Sequence, residues 1–302
     1  MATKPKLGIS LRSLARDASD FEERIYEASN YKPDSIELSC FAQDLILNKK
    51  VIVGRAEKMR QSLNDFGIPA TMHGPLSFNL LDCTEHLVEH IALACRYIDL
   101  GAILGVSAMV IHTGYCPETK PATLSRKYAA QRDGLKKIAD YAAPLGIMIY
   151  LENIFPFFEN THTALPERMA EEITIIDHPQ LAGCFDVSHA YIACNAYNAD
   201  LTEQAKAISP LAPHWHVHDS FGRPLKKLSP YTQSEQLAYG IGDLHLAVGD
   251  GDLPWESVLT ISEFSQELTF NIELHPELWS EMSNCVDATR RLIATVSDLK
   301  AA

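Results

Sequence analysis

Residues 214–220 read HWHVHDS, a short run in which histidine alternates with a large apolar residue. An alternation with a period of two indicates a β-strand, because successive side chains of a strand point to opposite faces. The three histidines then share one face, and Trp215 and Val217 share the other. Such a strand is typical of a barrel, in which one face packs against helices and the other lines the interior.

Similar β-rich runs recur along the chain, and their starts lie 28, 35, 38, 39, 34, 33 and 55 residues apart. These intervals have the size of one strand followed by one helix. Helical periodicity is clearest between the runs at residues 84–104, 122–145 and 278–299. The predicted strands are LGISL (7–11), SIELS (35–39), ATMHG (70–74), AMVIHTG (108–114), IMIYLEN (147–153), LAGCFDVSH (181–189), HWHVHDS (214–220) and TFNIELHP (269–276).

Eight strands that alternate with helices predict an α/β fold, namely a closed parallel (β/α)8 TIM barrel. An open doubly wound sheet is the alternative, but no glycine-rich phosphate fingerprint follows the first strand. No linker or low-complexity tract divides the sequence, so we expect residues 1–302 to form a single domain. The long last interval predicts a long loop over roughly residues 221–253.

The composition excludes some classes of partner. The chain has 26 basic and 39 acidic residues and a formal net charge of −13, so its surface repels nucleic-acid backbones and nucleic acid is a disfavoured partner. Seven cysteines without a C-x-x-C pair indicate reduced thiols. No apolar run is long enough for a signal sequence or a membrane helix. We therefore expect a cytoplasmic protein with no membrane partner.

Ionisable residues lie near the end of nearly every predicted strand. Because the carboxyl ends of barrel strands converge on one rim, these side chains should meet. Buried carboxylates and imidazoles are costly unless they are paired or bound to a cation. The mixed nitrogen and oxygen set predicts a divalent metal site for Mn, Zn, Co or Fe, or for Mg if carboxylates dominate. The positions are Glu37, His73, His112, Glu152, Asp186, His216 and Glu273.

Some of these polar residues also have a structural interpretation. Glu37 could make a hydrogen bond inside the barrel instead of binding a ligand. His214 lies one layer deeper than His216, so it fits a core position or a position behind the ligands. The remaining histidines fit helix or loop surfaces, and we do not assign them to the site: His86, His90, His162 and His178.

Six motifs follow one another along almost the whole chain: MVIHTG (109–114), IYLENI (149–154), FDVSHAYI (185–192), HVHDSFG (216–222), GDLHLAVGDGDLPW (242–255) and NIELHPE (271–277). In this order and spacing they resemble the xylose-isomerase-like TIM-barrel superfamily. That superfamily holds sugar and sugar phosphate isomerases and epimerases, together with the type-2 apurinic-site endonucleases. The resemblance therefore implies an enzyme, without specifying one activity.

The isomerase relatives imply a divalent metal held by Glu152, Asp186, His216 and Glu273. Glu152 and Glu273 would be the catalytic pair that moves a proton on a small sugar, sugar phosphate or polyol through a metal-stabilised enediolate. The resemblance also implies a carbohydrate partner and a homo-oligomer, since relatives are often dimers or tetramers. The expected substrate-binding residues are His189, His73, His218 and Arg223, the last as part of a cationic trio with Lys226 and Lys227 in the long loop.

The endonuclease relatives imply an alternative, a multi-metal (tri-zinc) phosphodiesterase. Up to three ions would be bound by His73, His112, Glu152, Asp186, His189, His216, Asp243, His245 and Glu273. A DNA-repair enzyme also needs basic rim loops, and the loops after the early strands carry little positive charge. We therefore predict an isomerase or epimerase first and a hydrolase second. A barrel that has lost catalysis and only binds a partner is third, because buried charges are costly in a mere scaffold.

Overall fold

In the computed structural model of the chain, which describes residues 4–224 and 230–301, eight parallel strands close into a barrel. Their order around the barrel is β1-β2-β5-β6-β8-β10-β11-β12, and β12 pairs with β1. This confirms the predicted (β/α)8 barrel and all eight predicted strands. In chain order the strands are β1 (Lys6–Leu11), β2 (Ser35–Leu38), β3 (Ile46–Leu47), β4 (Lys50–Val51), β5 (Ala70–His73), β6 (Ala108–His112), β7 (Tyr115–Pro117), β8 (Met148–Glu152), β9 (Thr161–Thr163), β10 (Leu181–Asp186), β11 (His214–Val217) and β12 (Thr269–Ile272).

Helices form the outer layer of the barrel. Three helical regions were predicted most clearly, and each is confirmed, although the second ends and the third begins in a 3-10 helix. The α-helices are α1 (Phe21–Ser29), α2 (Val53–Phe66), α3 (Thr84–Leu104), α4 (Pro121–Ala142), α5 (Pro166–Ile176), α6 (Val187–Tyr197), α7 (Leu201–Ile208), α8 (Gln233–Tyr239), α9 (Trp255–Ile261) and α10 (Met282–Ala301). The 3-10 helices are Cys40–Ala42, Ala143–Leu145, Ser209–Leu211 and Pro276–Glu281.

Strand β11 has the two-faced character that its sequence predicts. The Trp215 ring packs on Phe185 and Phe270, with ring centroids 4.8 and 5.4 Å apart. All three rings are completely buried between the sheet and the helices, where each such side chain stabilises the fold by about 1.5–3 kcal/mol. His214 and His216 have the opposite parity, so the packing of Trp215 directs both imidazoles into the barrel.

Two predicted boundaries are wrong. The strand expected over 181–189 ends at Asp186, because this carboxylate caps α6 and accepts a hydrogen bond of 2.7 Å from the backbone N–H of His189. His189 therefore lies in the first turn of a helix and not on a strand. The long loop expected over 221–253 contains helix α8, which begins at a capping box formed by Thr232 and Glu235.

Short antiparallel pairs lie beside the barrel. Strand β3 pairs with β4, and β7 pairs with β9, which ties the loop after β6 to the loop after β8. The Thr163 hydroxyl donates a hydrogen bond of 3.0 Å to the carbonyl of Gly114, which reinforces this tie. Within the described ranges, no helix combines the length and the apolar character needed to cross a bilayer.

Candidate metal centre

A central cluster lies where β8, β10, β11 and β12 end. It consists of Glu152, Asp186, His216 and Glu273, whose ligand atoms all lie within 4.8 Å of one another. Nδ1 of His216 lies 3.1 Å from Glu152 Oε1, 3.8 Å from Asp186 Oδ2 and 3.4 Å from Glu273 Oε2. Barrel closure therefore brings together four side chains that are spread over more than a hundred residues of sequence.

A second cluster shares one member with the first. It consists of His73, His112 and Glu152, from the ends of β5, β6 and β8. Glu152 Oε2 lies 3.1 Å from Nε2 of His73 and 3.4 Å from Nε2 of His112. The two oxygens of Glu152 therefore face different clusters, since Oε1 is the one that faces His216.

A third cluster lies at the outer side of the rim. It consists of His189, His218, Asp243 and His245. Asp243 Oδ2 lies 2.7 Å from Nε2 of His245 and 3.2 Å from Nε2 of His189. The structure thus distributes all nine ligand positions implied by the resemblance over three clusters, and it adds His218, which the sequence suggested only as a substrate contact.

The histidines of these clusters are oriented as metal ligands are. Nδ1 of His73, His189 and His245 lies 3.0, 3.1 and 2.7 Å from the backbone carbonyl oxygens of Gly74, Asn153 and Glu273. Because a carbonyl oxygen only accepts, Nδ1–H is the donor in each contact. Nε2 then faces the carboxylates, carries a proton in the metal-free protein, and would supply the ligand atom once that proton is lost, as in metal-binding histidines.

Glu37 supports the central cluster from below. Its Oε1 lies 3.1 Å from Nε2 of His216, and its Oε2 lies 2.9 Å from Nε2 of His214. Burial alone would raise the pKa of Glu37, but His216 and His214 hold it well below its usual range. The carboxylate is thus an anion that is hydrogen-bonded to His214 and lies beside His216, and the interpretation of Glu37 as a hydrogen-bonding residue inside the barrel fits this position.

The electrostatics of the clusters also fit divalent cations. Burial opposes charge on Glu152, yet His216 and His112 hold the pKa of this carboxyl well below its usual range. Burial likewise opposes charge on His189, but Asp186 and Asp243 raise its pKa well above the usual value. Imidazolium ions therefore neutralise the carboxylates when no metal is bound, and a cation can take their place.

Two buried polar atoms of the third cluster support the same conclusion. Among the described residues, neither Asp243 Oδ1 nor His218 Nδ1 has a hydrogen-bond partner, and the two atoms lie 3.8 Å apart. Buried polar atoms without a partner are rare and costly. With a donor set of imidazole nitrogen and carboxylate oxygen, the residues present fit Zn, Mn, Co or Fe.

Metal uptake is expected to release protons and to tighten as the pH rises. Burial lowers the pKa of His245, but Asp243 outweighs it and raises this pKa to about 9. Because Nε2 must lose its proton to bind a metal, the apparent affinity of the third cluster should rise with pH through about pH 9. Zinc titration of chelator-stripped protein at a series of pH values checks this. An affinity that does not change with pH, or a His245→Ala variant with the same pH dependence, would contradict it.

A small cavity opens above the clusters. This rim cavity of about 240 Å³ is lined by Glu152, Glu273, His189 and other cluster residues, and by apolar side chains that include Phe41, Phe155 and Phe157. A side cavity of about 220 Å³ lies next to it and shares His245 and Glu273 as a wall. A cavity with charged side chains on one side and aromatic rings on the other is typical of a small-molecule site.

Two predicted substrate contacts do not line these cavities. His218 is completely buried, with Nε2 3.0 Å from Asp186 Oδ2 and its ring stacked on His245 at 4.0 Å. Arg223 is exposed and donates a hydrogen bond of 3.3 Å to the carbonyl of Tyr239. His218 therefore supports Asp186, and Arg223 braces the long loop. Lys226 and Lys227, the other cations of the predicted trio, lie outside the described residues.

Asp219 is a positioning residue that the sequence analysis missed. Its carboxylate accepts hydrogen bonds from the backbone N–H groups of Ser220, Gly249 and Leu253, and from Nε1 of Trp255. Its own backbone exchanges two hydrogen bonds with Leu246, the residue after His245. Asp219 therefore holds the segment that carries the third cluster against the end of β11. Its only signal in the sequence is an acid directly after HVH and a later glycine-rich turn.

Comparisons with known proteins agree with this architecture. Residues 25–264 match a family model described as a xylose isomerase-like TIM barrel. The uncharacterized protein MJ1311 of Methanocaldococcus jannaschii is 26% identical over 273 residues, which are 89% of this chain and 83% of that protein. The fold is also similar to that of a D-tagatose 3-epimerase-like protein (TM-score 0.68, 18% identity, 98% of this chain and 100% of that chain) and of the IOLI protein with bound zinc (TM-score 0.65, 15% identity, 97% and 98%). From the family match, the chain belongs to the xylose isomerase-like TIM barrel family.

Proposed function

We propose that the chain is a single-domain, divalent-metal-dependent isomerase or epimerase of a small sugar, sugar phosphate or polyol. One observation carries this proposal: Glu152 and Glu273 belong to the same central cluster and both line the rim cavity. Two carboxylates that face one bound substrate can remove a proton from carbon and return it. The proposed metal ligands are Glu152, Asp186, His216 and Glu273.

The size and charge of the site favour a small substrate. A cavity of about 240 Å³ lies at the small end of ligand pockets, which suits a monosaccharide better than a flipped nucleotide with its flanking backbone. The net charge of −13 also disfavours a polyanion. Phe155 and Phe157 pack on each other with ring centroids 5.0 Å apart and form an apolar wall. Such a wall suits the C–H face of a sugar and keeps water from the reacting carbon.

The two glutamates are suited to different parts of a proton transfer. A bound divalent cation would polarise the substrate oxygens and acidify the adjacent C–H bond. Glu152 is completely buried, and imidazoles face both of its oxygens. Glu273 is more open, and its Oε1 accepts a long hydrogen bond of 3.4 Å from Ser10. Removal of a proton by one carboxylate and delivery of a different proton to the opposite face by the other, in its carboxylic acid form, would invert the carbon, which is epimerisation.

The relatives support this class of reaction. The fold is shared with a D-tagatose 3-epimerase-like protein, and the IOLI protein of the same fold was found with zinc. Both likenesses are at low sequence identity, so they support the choice of sugar chemistry and metal without identifying the sugar. We also propose the first-turn residue His189, which lines the rim cavity, as a substrate contact, together with His73.

Solvent exchange tests the proposal directly. Incubation with a panel of ketoses, sugar phosphates and polyols in deuterated water is expected to give a product with one deuterium at the inverted or rearranged carbon. Chelator treatment should abolish the exchange, and Mn, Co, Zn or Mg should restore it. The proposal fails if metal-loaded protein exchanges no proton on any sugar of the panel. Metal analysis of the same sample should find one tightly held ion per chain.

A second candidate function is a multi-metal phosphodiesterase. The observation that favours it is the presence of the second and third clusters, since adjacent cations can stabilise the attacking and leaving oxygens of a phosphoester. Three tightly bound zinc ions and cleavage of an abasic duplex at moderate salt would support it over the isomerase. His245→Ala should then remove most of the hydrolase activity, whereas an isomerase that uses only the central cluster should lose less activity.

A further inference from the structure

The side cavity has a different chemical character from the rim cavity beside it. Among the described residues that line the two cavities, only Arg12 and Arg24 are permanently cationic, and both line the side cavity. The rim cavity is instead surrounded by carboxylates, including Glu152 and Asp243. A ligand that extends from one cavity into the other therefore passes from an acidic region into a basic one.

Arg24 is buried where a surface arginine would be expected. It is 8% exposed, and its guanidinium lies over the Trp279 ring, with Cζ 4.5 Å from the ring centroid. One of its terminal nitrogens pairs with Glu27. Its Nε, however, is completely buried and has no hydrogen-bond partner among the described residues. Arg24 therefore places a buried guanidinium with unmet hydrogen-bonding capacity in the lining of the side cavity.

Arg12 supplies an unpaired charge to the same cavity. It follows β1, is exposed, and has no ion pair or hydrogen bond within the described part of the chain. Arg16, four residues later in the same loop, is by contrast paired with Asp44 at 2.8 Å. The planar guanidinium of Arg12 can bind phosphate or carboxylate oxygens in a bidentate manner.

A neutral donor completes the lining. Nδ1 of His275 accepts a hydrogen bond of 3.2 Å from the backbone N–H of Glu277, so the proton of the neutral ring lies on Nε2. His275 lines the side cavity together with Ser39. Guanidinium, imidazole N–H and hydroxyl groups around one space of about 220 Å³ are a donor set suited to an oxyanion.

We propose that the side cavity is an anion subsite, in which Arg12 and Arg24 bind the terminal phosphate or carboxylate of the substrate. This inference rests on the proposed function and narrows its substrate class to anionic sugars. The shared wall of His245 and Glu273 lets one molecule reach both cavities, with its reacting carbon at the central cluster and its anionic end at Arg12. The subsite also replaces the long-loop trio around Arg223 as the place for a substrate phosphate.

Inorganic phosphate binding to the metal-loaded protein tests the subsite without any turnover. Arg12→Ala is expected to weaken binding about tenfold or more, as the loss of a charge-assisted contact does. Arg16→Ala, with the same change in net charge in the same loop, is the matched control and should bind as the parent does. Equal phosphate affinity in the parent and Arg12→Ala overturns the proposal. A result in which Arg223→Ala weakens phosphate binding and Arg12→Ala does not also overturns it.

Turnover then identifies the source of the anion. For the anionic sugar that is the substrate, Arg12→Ala should raise KM about tenfold or more with little change in kcat, and Arg12→Lys should restore part of the loss. A phosphorylated and a carboxylated form of the same sugar distinguish phosphate from carboxylate, and the neutral sugar is the reference. If neutral sugars are epimerised and Arg12→Ala changes no KM, the subsite is refuted while the proposed function stands. If no sugar reacts but Arg12→Ala still weakens phosphate binding, the subsite stands and the proposed function is refuted.

Discussion

Glu152→Gln is expected to lower turnover by about 10³-fold or more while the barrel stays folded. The substitution keeps the volume of the side chain but removes its charge, its basicity and one of its two acceptor oxygens. Glu152 Oε1 lies 3.1 Å from Nδ1 of His216 and 3.2 Å from Nδ1 of His189, and its Oε2 faces Nε2 of His73 and His112. An amide nitrogen in either position cannot bind a cation, so the central and second clusters should also lose metal.

Steady-state kinetics, metal analysis and thermal unfolding of the same preparation check this result. Glu171→Gln is a matched control, because it makes the same change on the exposed face of α5, where Glu171 pairs with Arg168 at the surface. This control should keep both metal and turnover. Full metal content and undiminished turnover in Glu152→Gln would show that Glu152 is neither ligand nor base.

Asp219→Asn is expected to destabilise the fold by about 3 kcal/mol, because it leaves buried donors unsatisfied. Oδ1 accepts from the N–H groups of Ser220 and Leu253, at 2.9 and 3.3 Å, and Oδ2 accepts from those of Gly249 and Trp255, at 2.8 and 3.2 Å. Whichever of the two carboxylate oxygens is replaced by the amide NH2, that group faces two other donors. The isosteric change therefore replaces two attractive contacts with repulsive ones.

Urea unfolding of the metal-free protein measures this loss, and Asp250→Asn in the same loop is the control. Asp250 is exposed, so its substitution should change the free energy of unfolding by less than about 0.5 kcal/mol. Asp219→Asn should also weaken metal binding at the third cluster, since Asp219 holds Leu246 beside His245. Unchanged stability together with unchanged metal binding would contradict the positioning role.

The barrel and its central cluster were predictable because both depend on local patterns. The alternation of His216 with Trp215 sets which face of β11 is buried, and closure of the barrel then brings the strand ends together without further information. Glu152, Asp186 and Glu273 could be identified in the same way, each at or just after the end of its strand. In a parallel barrel, a residue's position along its strand is enough to place it on the rim.

The remaining site residues depend on loops, whose paths are set by long-range contacts. The predicted strand over 181–189 runs too far because it treats Asp186 as a strand residue, although aspartate is also a preferred residue at the start of a helix. Arg223 was favoured as an anion ligand for its local charge, whereas Arg12 and Arg24 come together only through the packing of α1 on Trp279. Asp219 accepts hydrogen bonds from backbone N–H groups about thirty residues away. Because almost any residue type can supply a backbone N–H, the sequence does not mark these contacts.

The carboxylate of Glu152 bridges the central and second clusters, and this makes their occupancies interdependent. Filling one cluster withdraws negative charge from the other, and thermodynamic reciprocity requires the two affinities to change by the same factor. A titration curve for this protein would then not decompose into independent sites. When metal is scarce, the chain would hold a single ion, and when metal is abundant it would hold more.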